Sequence, residues 1–482
     1  MRWRCILQVV SILVLILGLT MVFPLLWGLY YGDNGVTPII YSMALTILVG
    51  GGSVLVLRGP QTEFISQREG MAIVAVGWTA VGFFGCLPFH LSGEFGPFVN
   101  AFFESISGFT TTGSSILTDV QAISKSLLFW RSFIQWLGGM GIIVLSLAIL
   151  PILGVGGMQL YKAEVPSPVP DKLQPRIRET ARILWKVYVL FTVAQVVLLV
   201  LGGMGIFDAL NHALTTMPTG GFSTKNTSVA HFDSVYLDFM VTFFMLLAGI
   251  NFSLHYQLLK GDTLAFWRNA ECRFFLAATV VLTLVVTLNI YGTVYDKVGD
   301  AFRYAAFQLV SILTTTGYAT ADYEQWPAMS QLILLLCMFL GGSAGSTAGG
   351  MKCLRIMVCF KYCYKELFTL IHPHAVSRIK IGGRSVPDDV VRSVLGFLAL
   401  YLGLFAFSSV LLAGLGVDFI TAFAAVAATI GNVGPGFGMV GPVENFAAIP
   451  VLGKWLLIWC MLLGRLEIYT VIILLVPEFW RK

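Results

Sequence analysis

Four times in this chain a long apolar run is followed by a short amphipathic segment that opens on Asn or Asp and closes on glycine. The segments are NAFFESISGFTTTG from Asn100, DALNHALTTMPTGG from Asp208, DAFRYAAFQLVSILTTTG from Asp300 and DFITAFAAVAATIGNVG from Asp418. Asn and Asp are good helix N-caps. Each segment holds about ten to thirteen helical residues, too few to cross a hydrocarbon core that needs roughly 20. A further apolar run follows each one. With Gly113, Gly221, Gly317 and Gly434 in register, the unit recurs at intervals of about one hundred residues, the signature of an internal repeat.

The apolar runs between these segments are long enough to span a bilayer, as in Ile6–Leu29, Leu184–Leu201, Ser234–Tyr256, Phe274–Ile290, Val394–Leu415 and Trp455–Val476. With 57% hydrophobic and only 11% charged residues, the chain reads as a polytopic membrane protein, and its longest polar stretch, Met351–Arg392, is too small for a separate soluble domain. The basic start and the apolar run after it lack a short core and a small-residue cleavage site, which predicts an anchored first helix. Lys/Arg-rich connections assigned to the cytoplasm give one consistent alternation. The inner segments are the N-terminus with Arg2 and Arg4, Arg58–Arg68, Lys162–Lys186, Lys260–Arg273, Lys352–Arg392 and the C-terminus with Arg481 and Lys482. The exceptions are Lys125, Arg131, Lys225, Lys297, Arg303 and Lys454 on the outer side and Arg465 within a span. Both termini are expected in the cytoplasm. The fold expected is an all-α polytopic membrane protein of about ten spanning helices and four half-helices. Two N-terminal helices (1–68) precede four repeats of helix, re-entrant half-helix, extended loop and helix (69–160, 161–260, 261–365 and 366–482).

Non-helical backbone at membrane depth is tolerated only where it is buried in protein or lines a watery path. Four extended glycine loops therefore have to meet, and their carbonyls can replace the hydration shell of a cation on the pseudo-fourfold axis. Glycine suits positions where φ turns positive or backbones crowd, and a threonine hydroxyl adds an oxygen or ties the loop down. The half-helices run inward, so their partially negative C-terminal ends favour a cation at the centre. Carboxylates are nearly missing from the loops, which points to a monovalent ion, since hard divalent cations recruit acidic oxygens. Cys353, Cys359 and Cys363 lack the further ligands of a metal site, with His372 and His374 past the expected helix end, and the eight cysteines read as buried free thiols. Six scattered histidines suggest no haem or metal centre, and no paired carboxylates or His/Cys cluster suggest an enzyme. The net charge of +5 follows from topology and calls for no nucleic acid.

The motifs FTTTGSS, MPTGGFST, LTTTGYAT and IGNVGPG, at this spacing, resemble the Trk/Ktr/HKT superfamily of potassium transporters, and the two extra N-terminal helices resemble the membrane subunits of bacterial Trk systems. The resemblance covers the whole chain. It implies four pore repeats around one K⁺ path, with K⁺ as the transported ion and no covalent cofactor. It also implies a homodimer in the inner membrane with one pore per protomer, and a cytosolic TrkA-like partner through which a nucleotide would act. Carried over residue by residue, it places carbonyl ligands at Thr111 and Thr112, Thr219 and Gly220, Thr315 and Thr316, and Asn432 and Val433, followed by Gly113, Gly221, Gly317 and Gly434. In the second loop the TGG sequence leaves Gly220 as an alternative turning residue, and the fourth loop has no threonine beside its glycine.

Two further features sit on the cytoplasmic side of the loops. The run GGSAGSTAGG, with Gly341, Gly342, Gly345, Gly349 and Gly350, cannot hold a helix by propensity. It is either a tight helix–helix contact through small residues or, as the resemblance favours, an unwound gate loop leading into Lys352 and the basic segment. Without GK[ST] or a preceding strand it is a poor phosphate loop. Arg465 is too deep in its span to snorkel and must face the interior. It is either satisfied by helix-end carbonyls or placed beneath the loops, where its charge limits ion occupancy or pins the gate. A carrier with alternating access, coupled to H⁺ or Na⁺, would show inverted halves; here all four units run the same way.

Overall fold

The computed structural model describes residues 1–57, 66–148, 173–375 and 377–480. Much of the basic connections Arg58–Arg68 and Lys162–Lys186, the repeat boundary at 160, Arg481 and Lys482 lie outside the described residues. Among the described residues six helices are long and apolar enough to cross a membrane: Trp3–Tyr31, Val36–Val56, Arg68–Ser92, Arg182–Leu201, Ala270–Ile290 and Asp388–Gly414. Two more spans are bent pairs, Val235–Gly249 with Phe252–Leu259 at 102° and Val451–Arg465 with Ile468–Leu475 at 118°. Lys125–Ala148 and the interrupted pair Ala328–Leu340 and Cys353–Ile371 complete ten spanning segments among the described residues. Among the described residues the fold is all-α apart from a two-stranded antiparallel hairpin, Lys380–Ile381 with Arg384–Ser385, in the connection between Cys353–Ile371 and Asp388–Gly414.

Four half-helices fill the centre: Phe98–Phe109, Ile206–Thr216, Val298–Leu313 and Phe419–Ile430. Burial separates them from the spans around them. Apart from Asn100, every residue from Val99 to Thr112 is buried, whereas outward faces of the spans leave Leu48, Leu201, Leu288 and Val410 more than two-thirds exposed, as lipid contact requires. The helix starts differ from the expectation of Asn and Asp caps. Only Asp418 caps its half-helix, accepting the Thr421 N–H at 3.0 Å. The other three are capped three residues earlier, at Pro97, Gly205 and Lys297, and Asn100, Asp208 and Asp300 lie in the first turn. Two of them serve tertiary contacts instead. Asp208 accepts the Thr224 hydroxyl at 2.6 Å and pairs with Lys225 at 3.2 Å, and Asn100 accepts from Lys454 Nζ at 2.9 Å.

The helix Cys353–Ile371 runs across position 365, where the third unit is expected to end. The expectation for the cysteines changes in part. Cys363 is exposed, with Cys5 and Cys359 half-exposed, because their helix faces point away from the core. The remaining five cysteines are buried, and all eight are free thiols.

Candidate ion path and intramembrane loop

Each half-helix ends in the same six-residue hydrogen-bond pattern. Thr111 N–H donates to Gly108 O and Thr112 N–H to Ser107 O, both at 2.9 Å. The same pair of bonds joins Thr219 to Thr216 and Gly220 to Thr215, Thr315 to Ile312 and Thr316 to Ser311, and Asn432 to Thr429 and Val433 to Ala428. This is the Schellman C-cap, whose penultimate residue must be left-handed. The φ values there are 51° at Thr111, 58° at Thr219, 58° at Thr315 and 53° at Asn432. For a β-branched residue the left-handed region costs on the order of 1–2 kcal/mol, so three of the four caps hold strain of the kind found at functional sites. Asparagine tolerates that region without the penalty, which accounts for the fourth loop's departure from threonine. Two residues on, φ is positive again at Gly113, Gly221, Gly317 and Gly434. In the second loop the turning residue is therefore Gly221, and Gly220 takes the place of Thr112, Thr316 and Val433.

The glycines close a ring. A Cβ on Gly113 would strike the carbonyl oxygen of Gly220, on Gly221 that of Thr316, on Gly317 that of Val433, and on Gly434 that of Thr112 at 2.8 Å. Each loop's glycine thus abuts the carbonyl preceding the next loop's glycine, in the order first, second, third, fourth and back to the first. The outer stretches are stitched in the same order: Val120 N–H to Asn226 Oδ1 at 2.7 Å, Ala230 N–H to Ala319 O at 3.1 Å, Tyr323 hydroxyl to Gly436 O at 2.8 Å and Phe446 N–H to Ser115 O at 2.8 Å. The threonines of the first and third loops are tied alike, through Thr110–Thr112 and Thr314–Thr316 hydroxyl pairs at 2.7 and 2.8 Å. Asn432 Nδ2 donates to Thr112 Oγ1 at 2.9 Å and Met461 O at 3.0 Å, so its amide does for the fourth loop what hydroxyls do elsewhere.

Several supports were not singled out in the sequence. Gln135 donates to Gly220 O at 2.8 Å and accepts the Phe222 N–H at 3.2 Å. Arg131 forms a buried ion pair with Glu104 at 2.5 Å, donates to Ser223 O at 3.0 Å and lies 3.5 Å over the Phe222 ring. Glu104 in turn accepts the Ser115 hydroxyl and the Ile116 N–H, both at 2.9 Å. Arg303 and Asp238, at 2.6 Å, make a second such pair between repeats. A charge misplaced for the positive-inside pattern and facing protein was the available signal for both arginines.

The Gly341–Gly350 stretch is non-helical and lies against three of the four loops. Thr347 Oγ1 donates to Met217 O at 2.9 Å, the Gly349 N–H to Thr315 Oγ1 at 2.6 Å and the Gly350 N–H to Gly431 O at 2.9 Å. Left-handed φ values at Gly341, Gly345, Gly350 and Lys352 fold it back on itself. Lys352 Nζ donates to Ala348 O. Gly342 packs against Ala348 and the Gly249 carbonyl. Arg465 is 2% exposed, and its Nη1 donates to Thr347 O at 2.8 Å, leaving Nε and Nη2 without a protein partner among the described residues. Of the two sequence readings of this arginine, the partner found is a carbonyl of the loop, not of a helix end. No group of three or more His, Cys, Asp and Glu able to hold a metal occurs among the described residues.

Comparison with known proteins places this architecture. Residues 37–482 match the family described as TrkH, cation transport protein. The chain is 42% identical to the Trk system potassium uptake protein TrkH of Salmonella typhimurium, with 100% of both chains covered. It is 36% identical to the Trk system potassium uptake protein TrkG of Escherichia coli, with 99% of each covered. The crystal structure of the potassium transporter TrkH from Vibrio parahaemolyticus superposes with a TM-score of 0.92 at 39% identity, with 100% of both chains covered.

Proposed function

The chain belongs to the TrkH family of cation transport proteins, and from that premise we propose that it is the K⁺-translocating subunit of a Trk uptake system. K⁺, and with it Rb⁺, passes through a filter of carbonyls from Thr111 and Thr112, Thr219 and Gly220, Thr315 and Thr316, and Asn432 and Val433. The observation that carries this reading is the closed ring in which Gly113, Gly221, Gly317 and Gly434 each meet a carbonyl of the next loop. A ring of backbone oxygens with no carboxylate among its ligands suits a large monovalent ion that must shed its water. Left-handed caps fix those oxygens while half-helix C-termini add negative potential from four sides.

The Gly341–Gly350 loop acts as the gate on the cytoplasmic side of the ring, held by Arg465 and Lys352. Its exit helix leads into the basic cytoplasmic connection, where a TrkA-like nucleotide-binding partner acts on it. The protein sits in the bacterial inner membrane as a homodimer, each protomer with four pore repeats, its own path and both termini in the cytoplasm. The test is uptake of K⁺, Rb⁺ and Na⁺ into liposomes holding the purified chain, with and without an imposed pH gradient. K⁺ and Rb⁺ uptake well above Na⁺ and independent of the gradient is the expected result. Uptake that requires the gradient would move the reading to a coupled symporter, and no K⁺ uptake would overturn it.

A further inference from the structure

Glu271 belongs to none of the four loops, yet it bonds both to the intramembrane loop and to the helix that follows it. It stands in the first turn of the helix Ala270–Ile290 and is 8% exposed. A single carboxylate oxygen, Oε1, accepts the Ala344 N–H at 2.7 Å and the Leu354 N–H at 3.1 Å. Ala344 lies within the loop, and Leu354 stands in the first turn of the helix Cys353–Ile371 that leaves it. Two helix N-termini, its own and that of Cys353–Ile371, present partial positive charge to the carboxylate. The chain between the two anchored N–H groups contains Gly345, Gly349 and Gly350 and a left-handed Lys352. Such a segment has little helix propensity of its own, so bonds from another element add to the Lys352 tie to Ala348 O in holding its shape.

We propose that Glu271 is the positioning residue that clasps this loop in its closed form beneath the ring, and that letting go of either N–H frees the loop to leave the path. The proposal rests on the reading of Gly341–Gly350 as the gate. Charge-assisted hydrogen bonds are roughly twice as strong as neutral ones, so the clasp should loosen in steps as first the charge and then the acceptor is removed.

The test uses the full chain in liposomes without any cytosolic partner, reading Rb⁺ flux together with hydrogen exchange across 341–356. Glu271→Ala should raise partner-free flux about tenfold and speed exchange at Ala344 and Leu354, whereas Glu271→Gln, which keeps an oxygen acceptor, should raise flux about threefold. The Rb⁺/Na⁺ ratio should stay at the wild-type value in both, because the ring is untouched. Wild-type flux or wild-type exchange in the variants overturns the clasp. Should Glu271→Ala fail to fold, Glu271→Gln decides by the same criteria. A chain shortened within 341–350 separates the two readings. Raised flux in the shortened chain but not in the Glu271 variants removes the clasp alone, whereas wild-type flux in the shortened chain removes the gate and the clasp with it.

Discussion

Replacing Arg131 with methionine probes how the first two loops are held in register. Arg131 and Glu104 meet at 2.5 Å with side chains 4% and 0% exposed, so the replacement strands a buried carboxylate. Breaking such a pair from one side costs about 3–5 kcal/mol. Here Glu104 keeps the Ser115 hydroxyl and Ile116 N–H as donors, which pulls the electrostatic part toward the lower end. The bond to Ser223 O and the stacking on Phe222 are lost as well, adding about 1–2 kcal/mol. We expect a loss of about 4 kcal/mol for Arg131→Met and about half of that for Glu104→Gln combined with Arg131→Met, since a neutral pair strands no charge. Thermal unfolding in detergent reads the stability, and Rb⁺ against Na⁺ uptake in liposomes reads the function. Ser223 follows Gly221 in the second loop, and Ser115 and Ile116 follow Gly113 in the first, so the single variant should also lose preference for Rb⁺. A single variant no worse than the double, or costing less than about 1 kcal/mol, would refute the assignment of the pair as a brace.

Gly317→Ala places a methyl against the Val433 carbonyl at a left-handed φ of 81°, and uptake of Rb⁺ in liposomes should be abolished while the protein still inserts and purifies. Asn432→Thr keeps a residue type that the other three caps accept but forfeits the bonds to Thr112 and Met461. It should lower stability in a thermal-unfolding assay by about 2–3 kcal/mol, from left-handed strain plus two lost hydrogen bonds, and retain selectivity for Rb⁺ over Na⁺. Arg465→Ala removes the hydrogen bond from the end of the helix Val451–Arg465 to Thr347 O; partner-free flux should change severalfold, and a wild-type flux would leave the arginine a structural role alone.

What the sequence determined by itself is whatever repeats or has a local period. The apolar runs, the recurrence of glycine at about one-hundred-residue intervals and the Gly341–Gly350 interruption each depend on neighbouring residues only, so membrane class, repeat number and the position of the loops could be read directly. Where two local solutions were open, packing chose. Asp208 and Asn100 were fit to cap their helices, but Lys225, Thr224 and Lys454 drew them into tertiary bonds, and the helices start earlier. The TGG of the second loop is ambiguous as a string, because either glycine can turn left-handed; contact of Gly221 with the Thr316 carbonyl decides it. The cyclic order of the ring, the Arg131–Glu104 brace and the reach of Glu271 to Ala344 and Leu354 have no local signature at all. Their partners are mostly backbone groups, identical at every residue, and only the folded arrangement of the repeats brings one carbonyl or N–H rather than another within bonding distance.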